Sequence, residues 1–272
     1  MISRRGLLVG GGAVAGVAAA GAVGWELAPA PVTYRVRRTL GLLPEPWVPD
    51  VPEGTVRVEQ VDSEHLGPID LFTAVPAGYG DGAGLPVVVV LHGSSATAAG
   101  FRDLGLPRFV TAAVRAGAPP FVLAGTDDGP AGWVPVPGAD PQAMLRDELP
   151  GWLDERGYDA DRRALWGWSR GGYGALRFVE VEPDWPAALA LFSPALHAGD
   201  PALADDAGLD ALATLPWGLW CGEDDPFRDG AEALAAAAPT PPDPWVGGPG
   251  GHTRVYWNAQ TVDMLVWLTS NL

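Results

Sequence analysis

The run PVVVVL at residues 86–91 has no polar position, although a β-strand turns alternate side chains to opposite faces. A strand of that composition is covered on both faces, as in a parallel sheet sandwiched between layers of helices. Comparable apolar stretches recur downstream at PPFVLAG, RRALWGW, WPAALALF and LPWGLWC, and each breaks into a polar or glycine-rich loop. A further short strand is expected in PDPWVGGPGGH. Between these runs, FRDLGLPRFVTAAVRAG, DPQAMLRDELPGWLDERGY and GGYGALRFVEVEP have helical spacing, the second in spite of Pro150. RVYWNAQTVDMLVWLTSNL closes the chain as an amphipathic helix. Upstream, GTVRVEQVDS and GPIDLFTAVPAGY read as an antiparallel pair of strands. The pattern predicts an α/β fold: a mostly parallel central sheet with helices on both faces and little or no lid.

One such domain, residues 54–272, fits the length of 272. Residues 31–53 are rich in Pro and Arg and read as a linker wrapping onto it. Residues 1–30 are set apart from the fold. Arg4 and Arg5 precede an uncharged Gly/Ala-rich run from Gly6 to Trp25, and Ala28-Pro29-Ala30 follows. This is the layout of an export signal, and Ser-Arg-Arg-x-x-Leu resembles the twin-arginine type. The expectation is therefore an extracellular or cell-envelope protein, with transient membrane contact through residues 6–25 before cleavage. An uncleaved N-terminal anchor is the alternative.

The formal charge of −16 argues against a nucleic-acid backbone as partner, and no stable protein partner is evident. A single cysteine, Cys221, excludes an internal disulfide framework. His65, His92, His197 and His252 lack metal-ligand spacing, so neither a metal nor a cofactor is expected.

In a parallel sheet, catalytic groups collect where strands end. After ALWGW comes Ser169, within Gly167-Trp168-Ser169-Arg170-Gly171. The glycines permit a tight strand-to-helix turn that lifts the hydroxyl clear of the sheet, as a nucleophile requires. After GLWC comes Gly222-Glu223-Asp224-Asp225-Pro226, where a carboxylate can orient an imidazole. Asp225 is preferred, with Asp224 and Glu223 as alternatives. After WVGGPGG comes His252, placed to act as general base. The chain order Ser169, Asp225, His252 is that of α/β-hydrolases. Two backbone N–H groups are needed for a tetrahedral oxyanion: that of Arg170, and that of Ser94 or Ser95 in HGSS.

The chain resembles the putative esterase family, the esterase D-like branch of the α/β-hydrolases, which includes the mycolyltransferases. The resemblance runs over residues 55–270 and rests on SEHLGPIDLFTAVPAGY, LPVVVVLHGSS, GWSRGGYGAL, FSPAL, CGEDDPF and GGHTRVYW. It implies a serine esterase acting on a small-molecule carboxylic ester through Ser169, Asp225 and His252. An acyltransferase of the same fold, passing the acyl group to a sugar or another alcohol, is the alternative. An inactive hydrolase-fold binding protein is a third reading. The resemblance also implies pocket positions for Asp128 and Trp133 in TDDGPAGW, and Trp168 is expected to line the substrate pocket. Arg170 departs from the small or Met-like residue usual after the family's serine, and is expected to pair with a nearby carboxylate.

Overall fold

Four of the apolar runs form strands without an exposed residue: β3 (Pro86–Leu91), β4 (Val122–Thr126), β6 (Leu189–Phe192) and β7 (Trp217–Trp220). The computed structural model describes residues 44–272 apart from 131 and 204–208. The expected export signal and the first part of the linker lie outside the described residues. Completing the sheet are β1 (Val56–Ser63), β2 (Gly67–Ala74), β5 (Asp159–Trp168) and the two-residue β8 (Trp245–Val246). The order across the sheet is β1-β2-β4-β3-β5-β6-β7-β8. β1 and β2 pair antiparallel, β2 joins β4 antiparallel, and every later pairing is parallel.

The helices are α1 (Leu106–Arg115), α2 (Leu149–Glu155), α3 (Arg170–Val179), α4 (Arg228–Ala237) and α5 (Arg254–Thr269). They divide between the two faces as strand alternation dictates. Val87, Val89 and Leu91 of β3 turn to one side, where they join one apolar cluster with Leu149 and Leu153 of α2, Leu176 and Phe178 of α3, and Leu234 of α4. Val88 and Val90 turn to the other side and join Phe109 and Val110 of α1 with Met264, Leu265 and Leu268 of α5. Each fully buried valine or leucine contributes about 1.5–3 kcal/mol, so an all-apolar strand is the stable solution only when both layers are present.

Pro150 does not break its helix. Residues Pro141–Ala143 begin a helical turn capped by Asp140, whose Oδ1 accepts from the Gln142 and Ala143 N–H groups. The chain then widens through a π-helical stretch, Met144–Glu148, in which the Leu149 N–H reaches back five residues to the Met144 carbonyl. Proline has no N–H to give and its ring crowds the carbonyl four residues earlier, and the wider turn accommodates it.

Residues 45–272 form one compact unit. The described end of the linker packs within it: Trp47 meets Phe109 edge-on at 5.6 Å, and its carbonyl accepts from Asn258 Nδ2 at 2.8 Å.

Candidate active site

Ser169 ends β5 and immediately precedes α3. Its backbone has φ 56° and ψ −122°, a conformation that costs a non-glycine residue about 1–3 kcal/mol. Hydrogen bonds hold it there: the Ser169 N–H donates to Phe192 O at 2.9 Å, and Ser169 O accepts from Tyr173 and Ala195. The flanking glycines are required by close approach. A Cβ on Gly167 would lie 2.3 Å from Gly171 O, and one on Gly171 would lie 2.0 Å from Leu91 O. Helix and strand can meet this tightly only without side chains at those two positions.

The glycine-rich stretch before His252 is equally specific. Beyond β7 and β8 the two chains stay together, with Glu223 N–H donating to Gly248 O and Asp224 N–H to Gly250 O, each at 2.9 Å. A Cβ on Gly222 would lie 2.1 Å from Gly250 O. This contact delivers the loop after β8 to the loop after β7, and with it His252 to Asp225. His252 Nδ1 lies 3.1 Å from both carboxylate oxygens of Asp225, and Nε2 lies 2.8 Å from Ser169 Oγ. The Asp225 side chain is fully buried, and its Oδ1 also accepts from the Phe227 N–H at 2.9 Å. Glu223 and Asp224 are exposed, which separates Asp225 from its two neighbours. With Nδ1 facing a carboxylate, the imidazole carries its proton there and presents Nε2 to the serine as an acceptor. Phe227 and Trp257 stand edge-on to the ring at 5.0 and 4.8 Å, and Trp257 is itself held by its indole N–H on Ser193 Oγ.

The loop after β3 runs beside Ser169. A Cβ on Gly93 would come within 3.1 Å of Ser169 Cβ. The Gly93 carbonyl is bonded to His92 Nδ1 at 2.9 Å and also accepts from Ala96 N–H. In a trans peptide the N–H opposes the C=O, so the Ser94 N–H points away from His92. Ser94 and Ser95 are both exposed. The Arg170 N–H opens α3, where first-turn N–H groups have no helical partner.

A cavity of about 60 Å³ lies on the α5 side; Trp257, which stands against the His252 ring, forms part of its wall, whereas Ser169 and His252 do not line it. Trp166, Trp168 and Leu104 form apolar walls, Ser95 lies at its edge, and α5 contributes Arg254, Trp257, Asn258 and Thr261. Those four positions follow i, i+3, i+4, i+7 and therefore share one helix face. Sequence reasoning missed this face, although the spacing was there to see: an arginine, a tryptophan and two polar residues on one stripe of a helix that otherwise packs apolar residues inward.

Asp128 and Trp133 do not line this cavity, contrary to expectation. Trp133 is only 1% exposed and fills the core side of the loop after β4. Its indole N–H donates to His92 O at 2.9 Å, its carbonyl accepts from Gln142, and a Cβ on Gly174 would lie 2.0 Å from its own Cβ. Asp128 is engaged by the Arg170 guanidinium, the carboxylate pairing expected for that arginine, and lies 4.0 Å from His92 Nε2. Burial pushes the His92 imidazole below its ordinary pKa, against the raising pull of its bond to Gly93 and of Asp128 and Asp127. Burial likewise pushes the Cys221 thiol up to about 12. Among the described residues no group of three or more His, Cys, Asp or Glu side chains is placed to hold a metal ion. None of their helices is long and apolar enough to cross a membrane.

The sheet order, the strained serine between β5 and α3, and a histidine delivered after the last strand define an α/β-hydrolase. A family model described as putative esterase matches residues 66–247, and the chain belongs to that family. No curated protein matches it. Among solved structures it is similar to a ferulic acid esterase, at 20% identity and TM-score 0.70, over 81% of this chain and 100% of that one. It is also similar to an S-formylglutathione hydrolase from Agrobacterium tumefaciens (20% identity, TM-score 0.60, 79% and 94% covered). A fluorophosphonate-binding serine hydrolase of Staphylococcus aureus aligns at 16% identity and TM-score 0.63, over 80% and 99%.

Proposed function

We propose that the protein hydrolyses carboxylic esters through an acyl-enzyme on Ser169. The observation that carries the proposal is the hydrogen-bonded line from Asp225 through His252 to Ser169 Oγ, with Trp257, one wall of a nearby aromatic-walled cavity, against the His252 ring. As Ser169 Oγ attacks the ester carbonyl carbon, its proton passes to His252 Nε2. Asp225 holds the ring by Nδ1 and stabilises the imidazolium that forms. The carbonyl oxygen becomes an oxyanion facing the N–H groups of Arg170 and Ser94, a type of interaction whose loss typically costs ~10²–10³ in rate. Collapse of the tetrahedral species breaks the bond to the alcohol, which leaves with the proton from His252. Water then adds to the acyl-serine with His252 as base, and release of the acid restores the hydroxyl. The nearby cavity suits an apolar or flat group on the substrate, with Trp168 and Trp257 as neighbours. Arg4-Arg5 and the uncharged run behind them support export of the mature enzyme by the twin-arginine route.

Ser169→Ala should lower turnover of a simple 4-nitrophenyl ester by about 10⁴-fold or more, with unchanged circular dichroism. Undiminished turnover in the folded variant would contradict the proposal.

A further inference from the structure

Arg254 is set differently from the arginine beside the nucleophile. Arg170 is bound to Asp128, whereas Arg254 has no ion pair among the described residues. Its Nη2 donates to Leu104 O at 3.0 Å, and Glu45 is the carboxylate whose charge acts on it. A guanidinium has five N–H donors, so this single bond leaves most of them for a ligand. The residue stands at the first position of α5, two residues after His252, and faces the cavity. Burial disfavours its charged form, and a counter-charge entering the cavity would relieve that.

Trp166 forms part of the cavity wall and is 3% exposed. The other polar side chains are already committed in part: Asn258 Nδ2 donates to Trp47 O, and Thr261 Oγ1 donates to Trp257 O. The cavity thus combines apolar indole walls with a cationic fork.

We propose that Arg254 determines specificity at this site, selecting esters whose cavity-bound part carries a carboxylate. This rests on the esterase reading above. The net charge of −16 repels anions at long range, but that field is screened beyond ~8 Å at physiological salt. A carboxylate at contact with a guanidinium forms charge-assisted, bidentate hydrogen bonds that the distant charges do not offset. The preference expected from such a contact is roughly ten- to hundredfold in kcat/KM.

The test compares matched esters at 0.15 M salt, corrected for spontaneous hydrolysis. On the acyl side, the 4-nitrophenyl half-esters of glutarate and adipate are set against the valerate and hexanoate. On the alcohol side, 4-acetoxybenzoate is set against phenyl acetate. The wild type should prefer the anionic member of at least one pair. In Arg254→Gln that preference should fall at least tenfold, through KM more than kcat, and Arg254→Lys should restore part of it. Competitive inhibition of the wild-type enzyme by adipate, but not by its neutral dimethyl amide, supports the same site without any variant. An anionic-to-neutral ratio unchanged by Arg254→Gln, with no inhibition by adipate, overturns the inference and leaves the esterase reading standing. If the wild type turns over no member of either pair, both fall.

Discussion

Two flanks of Ser169 carry the same kinds of residue and use them in opposite ways. On the side of the loop after β4, a tryptophan and an arginine are closed off by partners within the protein. Trp133 donates to His92 O and packs against Gly174, and Arg170 is bound to Asp128. On the side of α5, Trp168 and Trp257 wall a cavity, and Arg254 has one backbone acceptor and no ion pair among the described residues. The first flank packs behind the elbow and the loop after β3. The second faces the cavity. Proximity to Ser169 therefore says little about whether a tryptophan or an arginine is open to a ligand: burial separates the tryptophans, and the ion pair separates the arginines.

Truncation should separate the flanks most sharply. Trp133→Ala removes a fully buried indole and leaves the His92 carbonyl without its donor, at a cost of about 3–5 kcal/mol in stability. Trp257→Ala removes a partly exposed wall, so it should cost clearly less stability and instead raise KM for esters that fill the cavity. Urea denaturation alongside steady-state kinetics measures both. Equal stability losses, or a KM change from Trp133 rather than Trp257, would erase the distinction.

A smaller effect should appear with pH on the closed flank alone. The His92 imidazole, 1% exposed, is held by burial below its ordinary pKa of 6.5, with Asp127, Asp128 and Arg170 as the charges bearing on it. The unfolded chain therefore takes up a proton that the fold resists. This contribution to stability is complete above about pH 6.5 and is lost as pH falls below it, by at most about 1.4 kcal/mol per pH unit. Urea midpoints between pH 7.5 and 5.5 should fall less steeply in His92→Asn than in the wild type. An identical slope would show that His92 is not held neutral by its surroundings.

What could be read from the sequence follows the same division. Strands β3 and β5 and the elbow between β5 and α3 were legible because composition alone requires them: four valines in a row need two covered faces, and the glycines around Ser169 need close contact. The position of His252 was legible from its place, at the end of a glycine-rich loop immediately before the final helix, where it can swing onto Ser169. Three consecutive carboxylates at 223–225 could be ranked but not resolved, because only the contact between Gly222 and Gly250 decides which of them meets the imidazole. That Trp133 and Asp128 lie outside the cavity could not be read, because a tryptophan that fills a core and one that walls a cavity are the same letter in a loop. The π-helical turn before Pro150 depends on hydrogen-bond register, which composition does not encode. The face formed by Arg254, Trp257, Asn258 and Thr261 was encoded in its spacing, but spacing alone does not say whether a helical stripe lines a cavity or packs inward.

The central claim is that His252 activates Ser169. The most direct measurement is reaction of the protein lacking residues 1–30 with a fluorophosphonate, read by intact mass and peptide mapping. The account predicts one adduct, on Ser169, and its disappearance in folded His252→Ala. A folded protein that takes up no label, or a label on Ser169 that persists without His252, would contradict it.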